Sequence, residues 1–182
     1  QAAGAQVHLA HPLGVKGFRY RRVKSDVRDA GDLADLLRMN RLPEAWIAPP
    51  QVRGLRELVR YRAKIVAIRS GLKAQVHAVL AKAGVLIAAT DLFGVDGRKR
   101  LERTALAGPY AARVASLLHL IDVFDAEEAV FVALIAERLR EHRGYRAIQA
   151  LPGVGPTLGA IFVAEIGDVH RFAGPGPLCS WA

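Results

Sequence analysis

Two long stretches without proline constrain the fold of this chain more than any other feature. The first runs from Gln51 to about Ala83, and the second from Tyr110 to about Arg140. In the first stretch, apolar side chains recur in steps of three and four residues, which predicts a coiled-coil-like helix about 45–50 Å long. We expect the two helices to pack antiparallel, or to pair across a subunit interface. The positions on the first stripe are Leu55, Leu58, Arg62, Ile65, Arg69, Leu72, Val76, Val79 and Ala83.

Two arginines lie on this otherwise apolar stripe. Arg62 and Arg69 occupy equivalent heptad positions, where a coiled coil normally carries an apolar residue. The adjacent Val59 and Val66 are alternative residues for that part of the apolar face. The face of the second helix is formed by Val114, Leu117, Leu118, Ile121, Phe124, Phe131, Leu134 and Ile135.

Shorter elements are predicted on either side of the two long helices. Val7–His11 is typical of a short strand, and the segment from Ser25 to about Met39 is typical of an amphipathic helix. A short helix is expected from Arg100 to about Leu106, and a Pro/Gly-rich loop is expected over Phe172–Pro177. The sequence therefore predicts a mixed fold that is mainly α-helical.

The composition narrows the class of partner. The 182 residues carry a formal net charge of +9, and the sequence pI is about 10.3. So basic a chain favours nucleic acid, although acidic membrane surfaces also attract basic proteins. The single cysteine, Cys179, excludes an internal disulfide and favours a reducing cytoplasm. No apolar run approaches the roughly 18 residues of a spanning helix, so no membrane partner is expected.

The glycine turn, residues 151–157, reads Leu-Pro-Gly-Val-Gly-Pro-Thr and opens a predicted helix to Ile166. Glycines at 153 and 155 tolerate unusual backbone angles and close approach by a partner. Proline at the first helical position leaves a helix end whose free N–H groups suit a phosphate. With a helix before it from about Tyr145 to Gln149, this is the outline of a helix-hairpin-helix. We predict nucleic-acid contacts at Gly153, Val154, Gly155 and Thr157. An ordinary corner between two helices is the alternative.

A pair of carboxylates, Asp26 and Asp29, lies three residues apart at the start of a predicted helix, and so on one face. Two such groups can hold a divalent metal ion through oxygen ligands, as in nucleases. They can equally serve only the helix start, where acidic side chains complement the helix dipole. The spacing alone leaves both interpretations open.

Basic residues outside the last predicted helices form either a solvated face or a phosphate track. Among them, Arg22, Lys24 and Arg28 are predicted to contact nucleic acid. Besides Lys24, these residues are Arg19, Arg21, Arg22, Arg28, Arg53, Arg56, Arg60, Lys64, Arg98, Lys99, Arg100 and Arg103.

Two parts of the chain together resemble the insertion sequence 110 family of transposases. Residues 8–12 with residues 24–30 resemble the end of that family's DEDD catalytic domain. Residues 151–156, residues 164–168 and the Arg-Phe pair at 171–172 resemble the start of its second transposase domain. The helical stretch between them resembles the family's coiled-coil connector, so the resemblance covers nearly the whole chain.

The resemblance implies a DNA recombinase that cuts and rejoins DNA with a metal-binding DEDD site and a serine nucleophile. It implies a RuvC-like, ribonuclease-H type α/β domain whose last two acidic residues are Asp26 and Asp29, holding Mg²⁺ or Mn²⁺. It further implies DNA and an element-encoded guide RNA as partners, and homo-oligomers formed through the coiled coil. The protein would act in the cytoplasm of a bacterium or archaeon, on the nucleoid.

Three parts are therefore expected: the end of a RuvC-like domain at 1–48, a helical coiled-coil connector at 49–143, and the start of a helix-hairpin-helix domain at 144–182. Because the chain begins at Gln1 and stops after a new helix start, we expect a piece of a longer protein, inactive by itself. The first two acidic residues would precede Gln1, and the serine motif would follow Ala182. A non-enzymatic basic helix-hairpin-helix module and a structural coiled-coil adaptor are the competing hypotheses.

Overall fold

The computed structural model describes residues 4–16 and 25–181. The chain divides into two compact units, Gln1–Pro49 and Pro50–Ala182. The described backbone is mainly helical, as predicted, and within it no β-strand forms. The helices in these ranges include none that is long and apolar enough to cross a lipid bilayer.

The described residues of the first unit form two helices, α1 (Pro12–Lys16) and α2 (Asp26–Arg38). The prediction of a strand at Val7–His11 is wrong, because this segment forms only an isolated antiparallel bridge, between Ala10 and Glu44. The N–H of Ala45 donates to the Leu9 carbonyl and that of His11 to the Pro43 carbonyl, both at 2.7 Å. The helix α1 begins directly after this bridge, at Pro12, and ends the extended segment before a ladder can develop.

The second unit is built on two long helices, α3 (Pro50–Lys82) and α5 (Gly108–Leu139). They pack antiparallel within the chain. Midway along the pair, the rings of Tyr61 and Phe131 contact each other, with their centroids 4.6 Å apart. Near the loop end, an apolar cluster joins Val76 and Val79 to residues of α5. At the other end, Leu55 and Val59 pack with Ile135 and Leu139.

Between these two clusters, ion pairs join the long helix pair in addition to apolar contacts of the buried Ile65 and of Tyr61 with Phe131. Arg62 and Arg69 both pair with Glu128 of α5, and Arg69 also pairs with Asp125. The Arg62 and Arg69 side chains are each only 20% exposed. The arginines therefore face the partner helix, as their heptad positions predict, and Val59 packs in the apolar cluster with Leu55, Ile135 and Leu139.

The helix α4 (Val95–Arg103) follows α3 after a loop. The prediction of a helix over Arg100–Leu106 is wrong in its bounds, because α4 starts and ends earlier. Inside α4, a Cβ at Gly97 would lie 2.2 Å from the Asp91 carbonyl oxygen. Only glycine permits this close approach of the helix to the preceding loop. On the other side, the Arg98 guanidinium donates to the Asp122 carboxylate of α5 at 3.0 and 2.5 Å.

Three further α-helices follow in the described part of the second unit: α6 (Arg143–Ile148), α7 (Pro156–Ile166) and α8 (Pro175–Trp181), with a short 3-10 helix at Val169–Arg171 between the last two. The predicted loop over Phe172–Pro177 is wrong in its second half, because α8 begins at Pro175. Prolines are tolerated in a first helical turn, where a missing N–H costs nothing. The helix α7 packs on both α3 and α5 through the small residues Ala160 and Ala164, which are buried in the cluster around Leu55.

Candidate nucleic-acid interface

The glycine turn joins α6 to α7 as the sequence predicts, with different roles for its two glycines. Gly153 has a φ of +85°, in the region that disfavours other residues, and the N–H of Val154 donates to the Leu151 carbonyl at 3.1 Å. Gly155 is extended, with φ −80° and ψ 179°, a conformation open to any residue. Pro156 then begins α7. The turn therefore requires glycine at position 153 on backbone grounds and not at position 155.

The N-terminus of α7 is open toward the outside of the molecule. No side chain among residues 4–16 and 25–181 caps it, and the Gly155 carbonyl accepts a hydrogen bond from the Gly159 N–H at 2.9 Å. The N–H groups of Thr157 and Leu158 lie in the first turn, which has no intrahelical acceptor for them. A Cβ added at Gly153 or Gly155 would meet no described atom within 4 Å. This arrangement can accept an anion such as a phosphate.

Close packing of α6 against α7 depends on Gly159, which the sequence analysis did not single out. A Cβ at this buried position would lie 3.3 Å from Tyr145 Cε2 and from Gln149 Cγ, and 3.4 Å from Ile148 Cγ2. Glycine is a weak helix former, so its presence inside an apolar helix was an available signal of close packing. The turn is thus supported from behind by tight packing between the two helices that it joins.

The C-terminal end of α7 is held by two arginines of α3. Arg56 donates from Nε to the Ala164 carbonyl and from Nη2 to the Glu165 carbonyl, both at 2.8 Å. Arg60 donates to both carboxylate oxygens of Glu165, at 2.8 and 2.7 Å. The hydrogen bonding between Arg60 and Glu165 raises the pKa of Arg60 and lowers that of Glu165. Arg56 and Arg60, which the sequence assigned to a solvated face or a phosphate track, therefore contact α7.

A third arginine reaches the same helix end from the C-terminal side. Arg171 donates to the Ile166 carbonyl at 3.2 Å. Its guanidinium carbon lies 4.0 Å from the centre of the Phe172 ring and 4.6 Å from the centre of the Trp181 ring. Burial lowers the pKa of Arg171, and the nearby Arg56 adds to that effect. These contacts tie α8 to the end of α7.

The predicted metal pair lies in the first turn of α2. Asp26 is exposed, Asp29 is half-buried, and the Asp29 N–H donates to the Ser25 carbonyl at 3.0 Å. Within residues 4–16 and 25–181, no group of three or more His, Cys, Asp or Glu side chains could hold a metal ion. The described residues thus offer two carboxylates on one helix face, an arrangement compatible with both metal binding and dipole complementation.

The remaining predicted contacts are distributed between the two units. Arg28 is exposed on α2, whereas Arg22 and Lys24, like Arg19 and Arg21, lie outside the described residues. Gly153, Val154, Gly155 and Thr157 come together in the glycine turn of the second unit. Arg98 and Arg100 form ion pairs with Asp122 and Asp96. Four further cations are exposed and make no ion pair within the described part of the chain: Arg53, Lys64, Lys99 and Arg103.

Comparison with known proteins gives matches at both ends of the chain. A family model for the IS110 DEDD transposases, described as "Transposase", matches residues 1–84. A second, described as "Transposase IS116/IS110/IS902 family", matches residues 145–182. The chain belongs to the IS110 family of transposases.

A curated relative supports the same assignment. The "Putative transposase y4qE" of Sinorhizobium fredii (strain NBRC 101917 / NGR234) is 28% identical over 160 residues, which cover 88% of this chain. The match covers 39% of that relative, so the chain spans about two fifths of its length. No solved structure matches the chain.

Proposed function

We propose that this chain is part of a DNA transposase of an insertion sequence, an enzyme that cuts and rejoins DNA. The observation that carries the proposal is the order of the two family matches, at residues 1–84 and 145–182. In the whole protein, residues 1–48 would end a RuvC-like domain, residues 49–143 would form the coiled-coil connector, and residues 144–182 would begin the helix-hairpin-helix domain. The serine nucleophile is assigned to a segment outside these residues.

Asp26 and Asp29 are proposed as the last two ligands of a DEDD metal site. Their carboxylates share one face of α2, and oxygen ligands are those that Mg²⁺ and Mn²⁺ prefer. A bound divalent ion would supply charge stabilisation at the DNA phosphate that is cut. The carboxylates of this chain would hold and orient the ion, together with acidic residues from outside the chain.

The glycine turn is proposed to grip a phosphate of DNA, or of a guide RNA, through the N–H groups at the start of α7. Such contacts position a nucleic acid without reading its sequence. The open N-terminus of α7 supports this role, as do the open positions of Gly153 and Gly155. Arg22, Lys24 and Arg28 would add cationic contacts from the first unit. The complex would assemble in the cytoplasm, on the nucleoid.

Self-association through the long helix pair is the remaining part of the proposal. The helix α5 presents a second apolar stripe in steps of three, seven and four residues, in addition to the face packed on α3. Side-chain exposure along this stripe ranges from 39% to 52% at Leu120, Val123, Val130 and Leu134. An apolar stripe of this kind suits a second copy of the long helix pair.

A non-enzymatic nucleic-acid-binding module is the second candidate function. The observation that favours it is the open helix end at the glycine turn, which needs no catalytic carboxylate to bind a phosphate. Under this alternative, Asp26 and Asp29 only complement the dipole of α2. A structural coiled-coil adaptor, the third hypothesis, would leave the open turn without a ligand.

Substitution of the two carboxylates in the full-length protein separates these functions. We expect Asp26→Ala and Asp29→Ala each to abolish metal-dependent recombination of the element, because losing a ligand weakens the ion site. Asp35→Ala is the matched control, since Asp35 is an exposed residue of the same helix that pairs only loosely with Arg38, at 3.5 Å. The readout is joined DNA product per cell. Wild-type product from both variants would reject the enzymatic role of the pair.

A further inference from the structure

Two kinds of contact attach α7 to α3: apolar packing, which is non-directional, and hydrogen bonds, which are directional. Ala160 and Ala164 pack in an apolar cluster with Leu55 and Val59. Apolar contact is non-directional, so these small side chains hold α7 near α3 without fixing its angle. The hydrogen bonds from Arg56 and Arg60 are directional and act at the C-terminal end of the helix.

Arg56 acts on the backbone of α7. The last carbonyl groups of a helix lack intrahelical donors and carry the negative end of the helix dipole. The Arg56 guanidinium supplies two donors to carbonyls 164 and 165, and its side chain is only 20% exposed. Because both acceptors are main-chain atoms, Arg56 fixes the position of the helix end itself.

Arg60 acts on a side chain of the same turn. Its two hydrogen bonds to Glu165 form a bidentate pair, the arrangement that constrains a carboxylate most strongly. Glu165 is 33% exposed, so water and salt screen this pair less than they screen a fully exposed one. Together, the two arginines restrict both the position and the rotation of the end of α7.

The orientation of this helix end determines where the opposite end points. The helix α7 has 11 residues and is therefore a stiff rod of about 16 Å. The glycine turn lies at its N-terminus, where Thr157 and Leu158 present their N–H groups. A change of angle at the arginines would therefore displace those groups relative to the long helix pair.

We propose that Arg56 and Arg60 are positioning residues for the phosphate-binding turn, acting through α7 rather than by touching nucleic acid. The inference rests on the proposed nucleic-acid binding by the glycine turn. It predicts that weakening the attachment of α7 lowers nucleic-acid affinity even when the net positive charge rises. A phosphate-contacting role for Arg60 predicts the opposite sign, because loss of its partner Glu165 would free the cation.

The test measures binding of the 182-residue chain to a fluorescent duplex DNA by anisotropy, with urea unfolding of each variant as the check on folding. We expect Glu165→Gln to lower affinity about three- to tenfold, the size of one charge-assisted pair. Arg60→Lys keeps the charge but loses the bidentate geometry, and we expect a loss of similar size. Glu102→Gln is the matched control, because it changes the charge by the same amount on an exposed residue of α4 and should not lower affinity.

The variant Gly155→Asp tests the underlying binding site separately. Position 155 is extended and open, and aspartate is a favoured residue at a helix start, so the fold should persist. Its carboxylate would occupy and repel the phosphate position. Unchanged affinity in Gly155→Asp would reject the turn as the binding site. Reduced affinity in Gly155→Asp, with raised affinity in Glu165→Gln or unchanged affinity in folded Arg60→Lys, would overturn the positioning role alone.

Discussion

The lowered pKa of Glu165 makes the stability of the second unit depend on pH. The hydrogen bond from Arg60 lowers the pKa of Glu165, and the charges of Arg60 and Arg56 add to this effect against the opposing effect of burial. In acid, the unfolded chain therefore binds more protons than the folded chain at this site. The stabilisation is present above the unfolded pKa of about 4.3 and is lost as the pH falls through the lower folded pKa.

We expect the unfolding midpoint in urea to fall more steeply for the wild type than for Glu165→Gln as the pH is lowered from about 6 to about 3. The reason is that the variant lacks the carboxylate whose protonation weakens the attachment of α7. Glu102→Gln, an exposed change on α4, should follow the wild-type curve. Parallel pH profiles for the wild type and Glu165→Gln would contradict this account.

At the residue scale, sequence reasoning identified the turn but not its support. Gly153 and Pro156 carry strong local signals, because backbone conformation at a turn depends on the residues within it. Arg56 and Arg60 carried no such signal, since their acceptors lie more than 100 residues away in sequence. A long-range ion pair is a property of the folded chain, so charge alone could not separate these arginines from exposed Arg53.

At the element scale, the charged middle of the long helix pair is the feature open to a direct test. Glu128 is 13% exposed and pairs with both Arg62 and Arg69. The Arg62 Nε atom is buried with no acceptor among the described residues. Removal of one partner from such a cluster leaves uncompensated charge, which costs more than the pair itself contributes.

We therefore expect Glu128→Leu alone to lower the free energy of unfolding by about 2–3 kcal/mol. The triple change Arg62→Leu, Arg69→Leu and Glu128→Leu should recover most of that loss, because apolar residues then fill an apolar seam. Chemical denaturation of the single and triple variants provides the measurement. Equal destabilisation of both would show that the charges themselves hold the two helices together.

The long helices α3 and α5 were predictable, as were the shorter α2 and α7, whereas the bounds of α4 and the start of α8 were not. The bounds of α3 and α5 agree with the sequence to within about two residues, because heptad spacing and absence of proline extend over more than 30 positions. The contact of α4 with the preceding loop at Gly97 is a property of the folded chain, and α8 begins at a proline, which sequence patterns associate with loops. The failed strand at Val7–His11 shows that an alternating pattern needs a partner of sufficient length before it becomes a strand.

At the scale of the whole molecule, net charge is the property most directly connected with the proposed partner. With a formal charge of +9 and an open phosphate site, we expect binding to duplex DNA to weaken linearly in a plot of log affinity against log salt. The slope should be about −0.9 for each phosphate neutralised. Anisotropy titrations between about 50 and 200 mM salt provide the measurement, with a second duplex of unrelated sequence expected to bind equally. Salt-independent binding would contradict an electrostatic interface.

The antiparallel packing of α3 and α5 has a consequence for how such a chain can vary in length. Their clusters around Leu55 and around Val76 are separate, and the chain enters and leaves the pair at the same end. Matched heptads could therefore be inserted into or removed from both helices without disturbing the glycine turn or its arginine supports. The long helix pair is in this sense an adjustable spacer, whose reach is set by counting heptads while the binding end stays constant.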